Sequence, residues 1–412
     1  MRRLPLLLAA AALCLAQPNP GGEQKDEAQP GLHFRLLRRP SLRYGEHFRI
    51  DLRARVQLDF RGFDPVQNPE EADVFELHRG RVGVEGRFLR DFEYEVEYDV
   101  GAEERAWRDA FLNYRRFRRF QIQAGRFKIP FGMETLTGAA NLDFPLRTRV
   151  SRYLTPARDL GVQLHGRFLQ RALNYEAGVF VHDGDNALDR FEEPTGQRTF
   201  AARLTGTPLR RLPVVRHLEV GGAFTESPMN EGALSVRGRT YAKETFFPHM
   251  FVRGRRLRLG AELRWMPGPF GLKGEFIHVR EQRREQGLRG NDLPDLISRG
   301  WYVSGTWVVT GEKKAEGVEP RRAFGAVELA TRWEALRFGS SQHPGNPSRG
   351  TRAPNVLPNS DRAWSAGVNW YLNRYVKVQG HAFRERIEDP QRVPVPGDRV
   401  YWLRLLRLQF VL

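Results

Sequence analysis

The sequence predicts an all-β chain: a transmembrane antiparallel β-barrel of about 16 strands, an even number as bacterial barrels have, with its third long loop folded inward. Three observations predict it. Long stretches alternate apolar and charged residues with period two. Beyond the amino terminus no run of about 18 apolar residues occurs, so no membrane helix is encoded. A long basic segment, 125–163, interrupts the alternation between two strand-like stretches.

The amino terminus reads as a secretory signal. Arg2 and Arg3 precede an apolar run, 4–15, which is too short to span a bilayer. Cys14 and Ala16 are small residues at the two cleavage positions, so 1–16 is read as a signal peptide cut after Ala16. Bulky Leu13 argues against a lipoprotein site. Cys14 is the only cysteine. The mature chain then has no disulfide and no thiolate metal site. Residues 17–47 are polar and basic and are read as a short periplasmic segment. The barrel is read over 48–412.

The clearest strand is 48–60. Phe48, Ile50, Leu52, Ala54, Val56, Leu58 and Phe60 alternate with Arg49, Asp51, Arg53, Arg55, Gln57 and Asp59. Such alternation gives a strand one apolar and one polar face. A tilted membrane strand needs about 9–11 residues, and this one is long enough. Residues 74–88 follow with Arg79 and Arg81 on the polar face, then 92–100 with Glu93, Glu95, Glu97 and Asp99 opposite Phe92, Tyr94, Val96 and Tyr98. Further strands are read over 106–115, 120–125, 160–168, 173–181, 200–205, 218–224, 251–265, 272–284, 300–310, 323–338, 363–371, 375–384 and 400–412. Strict parity would turn Arg126 toward lipid, so a bulge or the loop itself must begin near Gly125. In 225–250 a further strand is conceivable. It would put the Pro267-Gly268-Pro269 turn on the long-loop side, so the stretch is read as one loop.

The formal net charge is +17, carried mostly by arginine, which points to an anionic partner. A constriction loop is read over 126–158. It carries Lys128, Arg147, Arg149, Arg152 and Arg158. With Arg53, Arg55, Arg79 and Arg81 these are the nine anion-binding, pore-lining candidates. Arginine offers anions a planar fork that stays charged, and several moderate sites in series conduct better than one tight site. Asp159 is read as a structural partner of adjacent Arg158, and Glu328 and Arg332 as lumen-wall partners.

Several stretches together resemble the phosphate-selective porin O and P family: Gly125-Arg126-Phe127-Lys128-Ile129-Pro130-Phe131-Gly132, Pro156-Ala157-Arg158-Asp159-Leu160-Gly161-Val162-Gln163-Leu164, Gly268-Pro269-Phe270-Gly271-Leu272-Lys273-Gly274-Glu275, Thr310-Gly311-Glu312, Phe324-Gly325-Ala326-Val327-Glu328-Leu329-Ala330 and Gly367-Val368-Asn369-Trp370-Tyr371-Leu372-Asn373. The resemblance implies a 16-stranded barrel, trimeric assembly, an inward third loop and passive anion-selective transport. Lys128 matches the lysine of the loop motif.

The function expected is an outer-membrane porin for anions, phosphate or polyphosphate among them, in a Gram-negative bacterium. The partners expected are small phosphate-like anions, outer-membrane lipid and lipopolysaccharide, and further copies in a homotrimer, with no nucleic acid. No enzyme, cofactor or metal is expected: a His-X-His or paired-carboxylate arrangement, a P-loop and a nucleophile elbow are all missing from the sequence. Two alternatives remain open. An outer-membrane barrel hydrolase would gather His165, His182, Asp183 and Asp185 at one rim. A secreted soluble polyanion-binding β-protein would carry the arginines outside.

Overall fold

The computed structural model describes residues 32–36, 39–45, 47–64, 73–102, 106–184, 198–213, 215–341, 350–356, 358–389 and 397–412. Residues 1–16, read above as a signal peptide, lie outside the described residues.

The barrel strands are β3 (Phe48–Asp64), β4 (Asp73–Phe88), β5 (Phe92–Asp99), β6 (Trp107–Phe117), β7 (Phe120–Lys128), β8 (Arg158–Phe168), β9 (Leu173–Phe180), β10 (Thr199–Gly206) and β11 (Leu218–Met229), then β14 (Gly254–Trp265), β15 (Phe270–Arg283), β16 (Leu293–Val308), β17 (Ala326–Ser340), β18 (Asn359–Tyr371), β19 (Val376–Asp389) and β20 (Gly397–Val411). Each pairs antiparallel with its sequence neighbour, and β20 returns onto β3 from Trp402↔Asp64 to Val411↔Arg55. The closed wall has 16 strands. Closure removes both sheet edges, and with them the unpaired backbone groups that a bilayer does not tolerate. On the lumen side Arg407 grips Asp59 across the closing seam, with two contacts of 2.6 Å.

Two short strands, β1 (Leu32–Leu36) and β2 (Pro40–Tyr44), form a hairpin ahead of the barrel. β2 pairs with the first residues of β3, Ser41↔Asp51 to Tyr44↔Phe48, beyond the point where β20 ends. This part of 17–47 therefore extends the wall at the end that holds Phe48 and Leu412. The short turns at 89–91, 118–119 and 169–172 lie at that same end, which is periplasmic by the asymmetry of such barrels. The long loops lie at the other end. One of them, 230–253, contains a two-stranded ribbon of β12 (Gly238–Arg239) and β13 (Thr245–Phe247), which is not part of the wall, so the stretch adds no wall strand; β11 itself runs five residues further than its reading to 224.

The distribution of side chains is inverted relative to a water-soluble protein. Leu52, Ile122, Leu160, Phe276, Trp301, Leu329, Val368 and Leu406 are exposed on the outer face, while Arg149, Arg256, Arg258, Arg283, Arg332, Arg407 and Lys314 are among the largest fully buried side chains. Charged residues are almost never fully buried in soluble proteins. An apolar exterior round a charged interior suits a barrel in lipid. It also removes the soluble alternative, which needs the arginines outside. No helix among the described residues is long and apolar enough to cross a membrane.

The lipid face gives the first prediction. Val368 lies two residues from Trp370 and four from Trp364 on the outward face of β18. Val368→Arg should cost about 2–4 kcal/mol in folding into vesicles, measured by urea titration, whereas Val368→Leu should stay near wild type.

Candidate functional site: a cationic path along one wall of the lumen

The lumen is filled on one side. The constriction loop, 129–157, leaves β7 and crosses to the β15–β19 wall, where wall carboxylates hold it. Its helix α1 (Met133–Leu136) starts against Glu275 of β15: the Met133 and Glu134 N–H groups donate to the two carboxylate oxygens at 2.5 and 2.9 Å, and the Tyr302 hydroxyl donates to the same group at 2.6 Å. Helix α2 (Arg149–Tyr153) is capped by Thr148, whose hydroxyl accepts from Ser151 N–H at 3.0 Å. The Arg149 N–H donates to Glu334 at 2.9 Å. Its guanidinium sits among Glu334, Asp361 and Glu385.

Two further segments pack in beside it. Loop 230–253 sends the Tyr241 N–H to Glu385 at 3.1 Å and its hydroxyl to Glu334, while Arg332 donates to that hydroxyl at 2.8 Å. The same loop sends the Val236 N–H to Glu281 at 3.1 Å. From the periplasmic end, the connection 309–325 inserts Lys314, which meets Asp143 of the constriction loop at 2.6 Å and Glu328 of β17 at 2.5 Å. Phe131, Val150 and Leu154 of the constriction loop share an apolar cluster with Val236, Phe246, Phe247 and Met250, and with Ile277, Leu336 and Phe338 of the wall. The sequence reading contained one inward loop. The structure has three inward segments, because the β14–β19 wall presents apolar and acidic residues that need partners.

The open space lies along β3–β8. A cavity of about 500 Å³ is lined there by Arg53, Arg55, Arg79, Arg81, Lys128, Arg147, Arg152 and Arg158. An outer cavity of about 560 Å³ shares His78, Arg79, Arg147 and Arg152 with it and adds Arg61, Arg149 and Tyr241. Eight of the nine candidates thus meet in one space. Four of the eight are matched by acids. Arg53 meets Glu95, and Glu85 at 3.2 Å; Arg55 meets Glu97 at 3.7 Å. Arg81 meets Glu97 at 2.9 Å and Asp99 at 2.8 Å. Arg158 grips Asp109 with Nε at 3.1 Å and Nη2 at 2.6 Å.

The other four pair with no carboxylate among the described residues. Arg79 donates to Gln57 at 2.7 Å. Lys128 donates to the backbone carbonyls of Leu136 and Thr137 at 2.9 and 3.2 Å, and Arg147 to those of Glu134 and, at 2.8 Å, Thr137. Two cations therefore converge on one carbonyl. Arg152 is exposed. Burial pushes the Arg147 guanidinium down to about 10, with Glu134 opposing and Arg158, Arg81 and Arg152 adding repulsion. It stays protonated at neutral pH.

Several sequence readings need correction. Arg149 lies against three acids, so it anchors the loop rather than offering a free charge. Its pKa rises well above the arginine range: burial lowers it, but Asp361, Glu334 and Glu385 outweigh that. Arg158 pairs with Asp109, not with adjacent Asp159, which instead accepts the His182 N–H at 2.7 Å. Glu328 and Arg332 are lumen partners, but of Lys314 and of Glu134 respectively. The expected irregularity near Gly125 is present, with φ at +129°, and Ala157 at the return has φ +63°. These turns of the backbone bring Lys128 and its cross-strand neighbour Arg158 to the lumen although both sit on the lipid parity of their strands.

Sequence reasoning missed His78, Arg108 and Asp109 as lining residues. His78 is the extra residue of a bulge in β4, where Gln57 pairs with Arg79 but Leu58 with Leu77. A signal existed: the apolar phase switches from Phe75 and Leu77 to Val82 and Val84. Asp59, Glu76 and His78 could offer three metal-ligand atoms within 4.8 Å of one another. Arg407 and Arg61 already occupy the two carboxylates, so the donor set suits ion pairing better than a cation. The residues named for a hydrolase are not gathered. His165 bonds Asn113 near the periplasmic end, and His182 lies beside Asp159 at the outer end. Asp183 is locked by Arg256 and Arg258, and Asp185 lies outside the described residues.

Comparison with known proteins decides the family. The model of the phosphate-selective porin O and P family matches residues 50–405. The chain belongs to this family. It is an outer-membrane porin of a Gram-negative bacterium. Porin O of Pseudomonas aeruginosa is 22% identical over 374 residues, covering 81% of this chain and 82% of that one. Among solved structures, OmpT of Vibrio cholerae has a TM-score of 0.58 at 11% identity, covering 89% of this chain and 98% of its own. The anion-selective porin of Comamonas acidovorans has a TM-score of 0.56 at 9% identity, covering 88% and 99%. At these identities the structures share the fold of this porin.

Two predictions follow from the anchoring of the loop. Arg149→Met should leave buried Asp361 and Glu385 without their cation and Glu334 with only Arg332 at 3.8 Å, cost about 3–5 kcal/mol and raise open-channel noise, whereas Arg152→Gln should leave urea stability within about 0.5 kcal/mol. The Asp143–Lys314 contact has a defined pH window. Burial works to raise the Asp143 carboxyl, but Lys273 and Lys314 outweigh it and hold it well below the usual carboxylate range. A depressed carboxylate pKa gives stability that is present above the unfolded value, about 3.9, and is lost as pH falls through the folded one. This contact should therefore contribute no loop-opening steps to single-channel conductance between pH 8 and 4, measured at constant ionic strength. Lys314→Met should show them at neutral pH.

Proposed function

We propose that this porin passes small anions, phosphate-like ones included, along the β3–β8 wall, and that Arg79, Lys128, Arg147 and Arg152 set its selectivity. The supporting observation is that these four cations line one narrow space without carboxylate partners. A charge in a low-dielectric space is screened less than one in bulk water, so an unmatched cation attracts anions and repels cations strongly there. Arg53, Arg55, Arg81 and Arg158 extend the series, moderated by their acids. Arginine favours phosphate through paired hydrogen bonds. Passage is passive diffusion. A homotrimer in lipid is the assembly this reading favours. OmpT of Vibrio cholerae has a trimer form, and the outward face of β3–β7 carries the exposed apolar residues Leu52, Val82, Leu112 and Ile122, which a neighbouring copy could cover.

The test is a reversal potential across a planar bilayer in a potassium chloride gradient. The wild type should favour chloride. Lys128→Gln with Arg147→Gln should lower the chloride-to-potassium permeability ratio by roughly tenfold. Stepped phosphate should block the chloride current with saturation, less so in the double variant. Cation preference in the wild type, or unchanged selectivity in the variant, would defeat the reading.

A further inference from the structure

The outer surface carries a second cationic array that the conduction path does not use. Above the aromatic residues Trp301, Trp333 and Trp364, on the same outward parity, stand His278 of β15, Arg299 of β16 and Arg337 of β17. They are direct cross-strand neighbours, His278↔Arg299 and Arg299↔Arg337. Trp333 and Trp364 are themselves paired, and Arg362 and Arg384 flank Trp364 on β18 and β19. Arg299, Arg337, Arg362 and Arg384 are all exposed.

Such side chains are out of place in hydrocarbon and must reach the headgroup level. The tryptophan row marks where that level begins. The array lies toward the long-loop end, so it faces the outer leaflet. Basic residues directly opposite one another on neighbouring strands repel. Here no carboxylate relieves them: Arg299 donates to the His278 ring at 3.1 Å, and Arg337, Arg362 and Arg384 form no ion pair among the described residues. The nearby acids are engaged elsewhere, Asp295 with Arg280 at 2.6 Å and Glu388 with the Ser360 hydroxyl at 3.1 Å. On β3–β5 the corresponding outer-half positions are Phe60, Phe75, Tyr98 and Val100, with no cation. These positions carry no counterpart of the array.

We infer that the outer half of β15–β19 binds the phosphate groups of a lipopolysaccharide headgroup, with Arg299, Arg337, Arg362 and Arg384 as the phosphate ligands and the tryptophans against its acyl chains. Arginine forks match phosphate oxygens, and a bound phosphate would relieve the row of like charges.

The test uses the full porin refolded in detergent, with lipopolysaccharide binding measured by co-elution and an assay of its hydroxylated fatty acids, which phosphate removal leaves unchanged. Arg337→Gln with Arg362→Gln should weaken binding by roughly fivefold for each arginine removed. The lysine versions should lose less. Enzymatically dephosphorylated lipopolysaccharide should bind the wild type no better than it binds the glutamine variant. Equal binding of the phosphorylated and dephosphorylated lipids overturns the inference. So does displacement by low-millimolar inorganic phosphate, which would mark a free-phosphate site. The glutamine variant should keep the wild-type reversal potential, and Lys128→Gln with Arg147→Gln should keep wild-type lipid binding, so failure here and failure of the conduction reading are told apart.

Discussion

A charge moved from water into a protein-lined space must be matched or must remain able to meet solvent. That constraint shapes both halves of this lumen. On the β14–β19 wall, Glu275, Glu281, Glu334 and Glu385 accept backbone N–H groups or guanidinium groups from segments that fold in. The carboxylates are satisfied and the space closes. On the β3–β8 wall the cations exceed their acids locally, no segment covers them, and the space stays open.

This division explains why the inward loop can be both rigid and cationic. Its anchoring charge is Arg149, spent on three acids. Glu134 serves the loop too, accepting from the Thr148 N–H at 2.9 Å and hydroxyl at 2.7 Å. Lys128 and Arg147 are instead held by carbonyls at the end of α1. A carbonyl orients a cation without cancelling its charge, whereas a carboxylate does both. The chemistry of the hydrogen-bond partner, more than position in the chain, separates a structural arginine from one that acts on solutes.

Much of the fold was legible because period two is a local property. The alternation over 48–60 is enough to name a two-faced strand, and the rhythm of short turns and long loops set the strand number. The path along β3–β8 was legible in part, since Arg53, Arg55, Arg79 and Arg81 share a polar face in sequence. Partnership was not legible. Arg149 finds Glu385 and Arg158 finds Asp109 across loops and strands far apart in the chain, and nothing in spacing records such contacts. Nor does composition reveal that 309–325 folds inward: Lys314 is one lysine in a polar connection until Asp143 is placed opposite it.

The order of the cations along the path has a consequence for conduction. Toward the periplasmic end Arg53, Arg55 and Arg81 lie beside Glu95, Glu97 and Asp99, so their net attraction is reduced. In the middle Arg79, Lys128, Arg147 and Arg152 form no direct ion pair with a carboxylate among the described residues, so less of their charge is cancelled. On the reading proposed above, an anion would meet a field that strengthens toward the neck and weakens again beyond it. On the same reading, fixed guanidinium and ammonium donors would replace part of its water at the centre, and the acids beside Arg53, Arg55 and Arg81 would compete with it for those arginines as it leaves. Binding strong enough to draw an ion in and weak enough to let it go requires such a gradient. A neck ringed only by unmatched arginines would hold phosphate, and a wall of fully paired ones would ignore it.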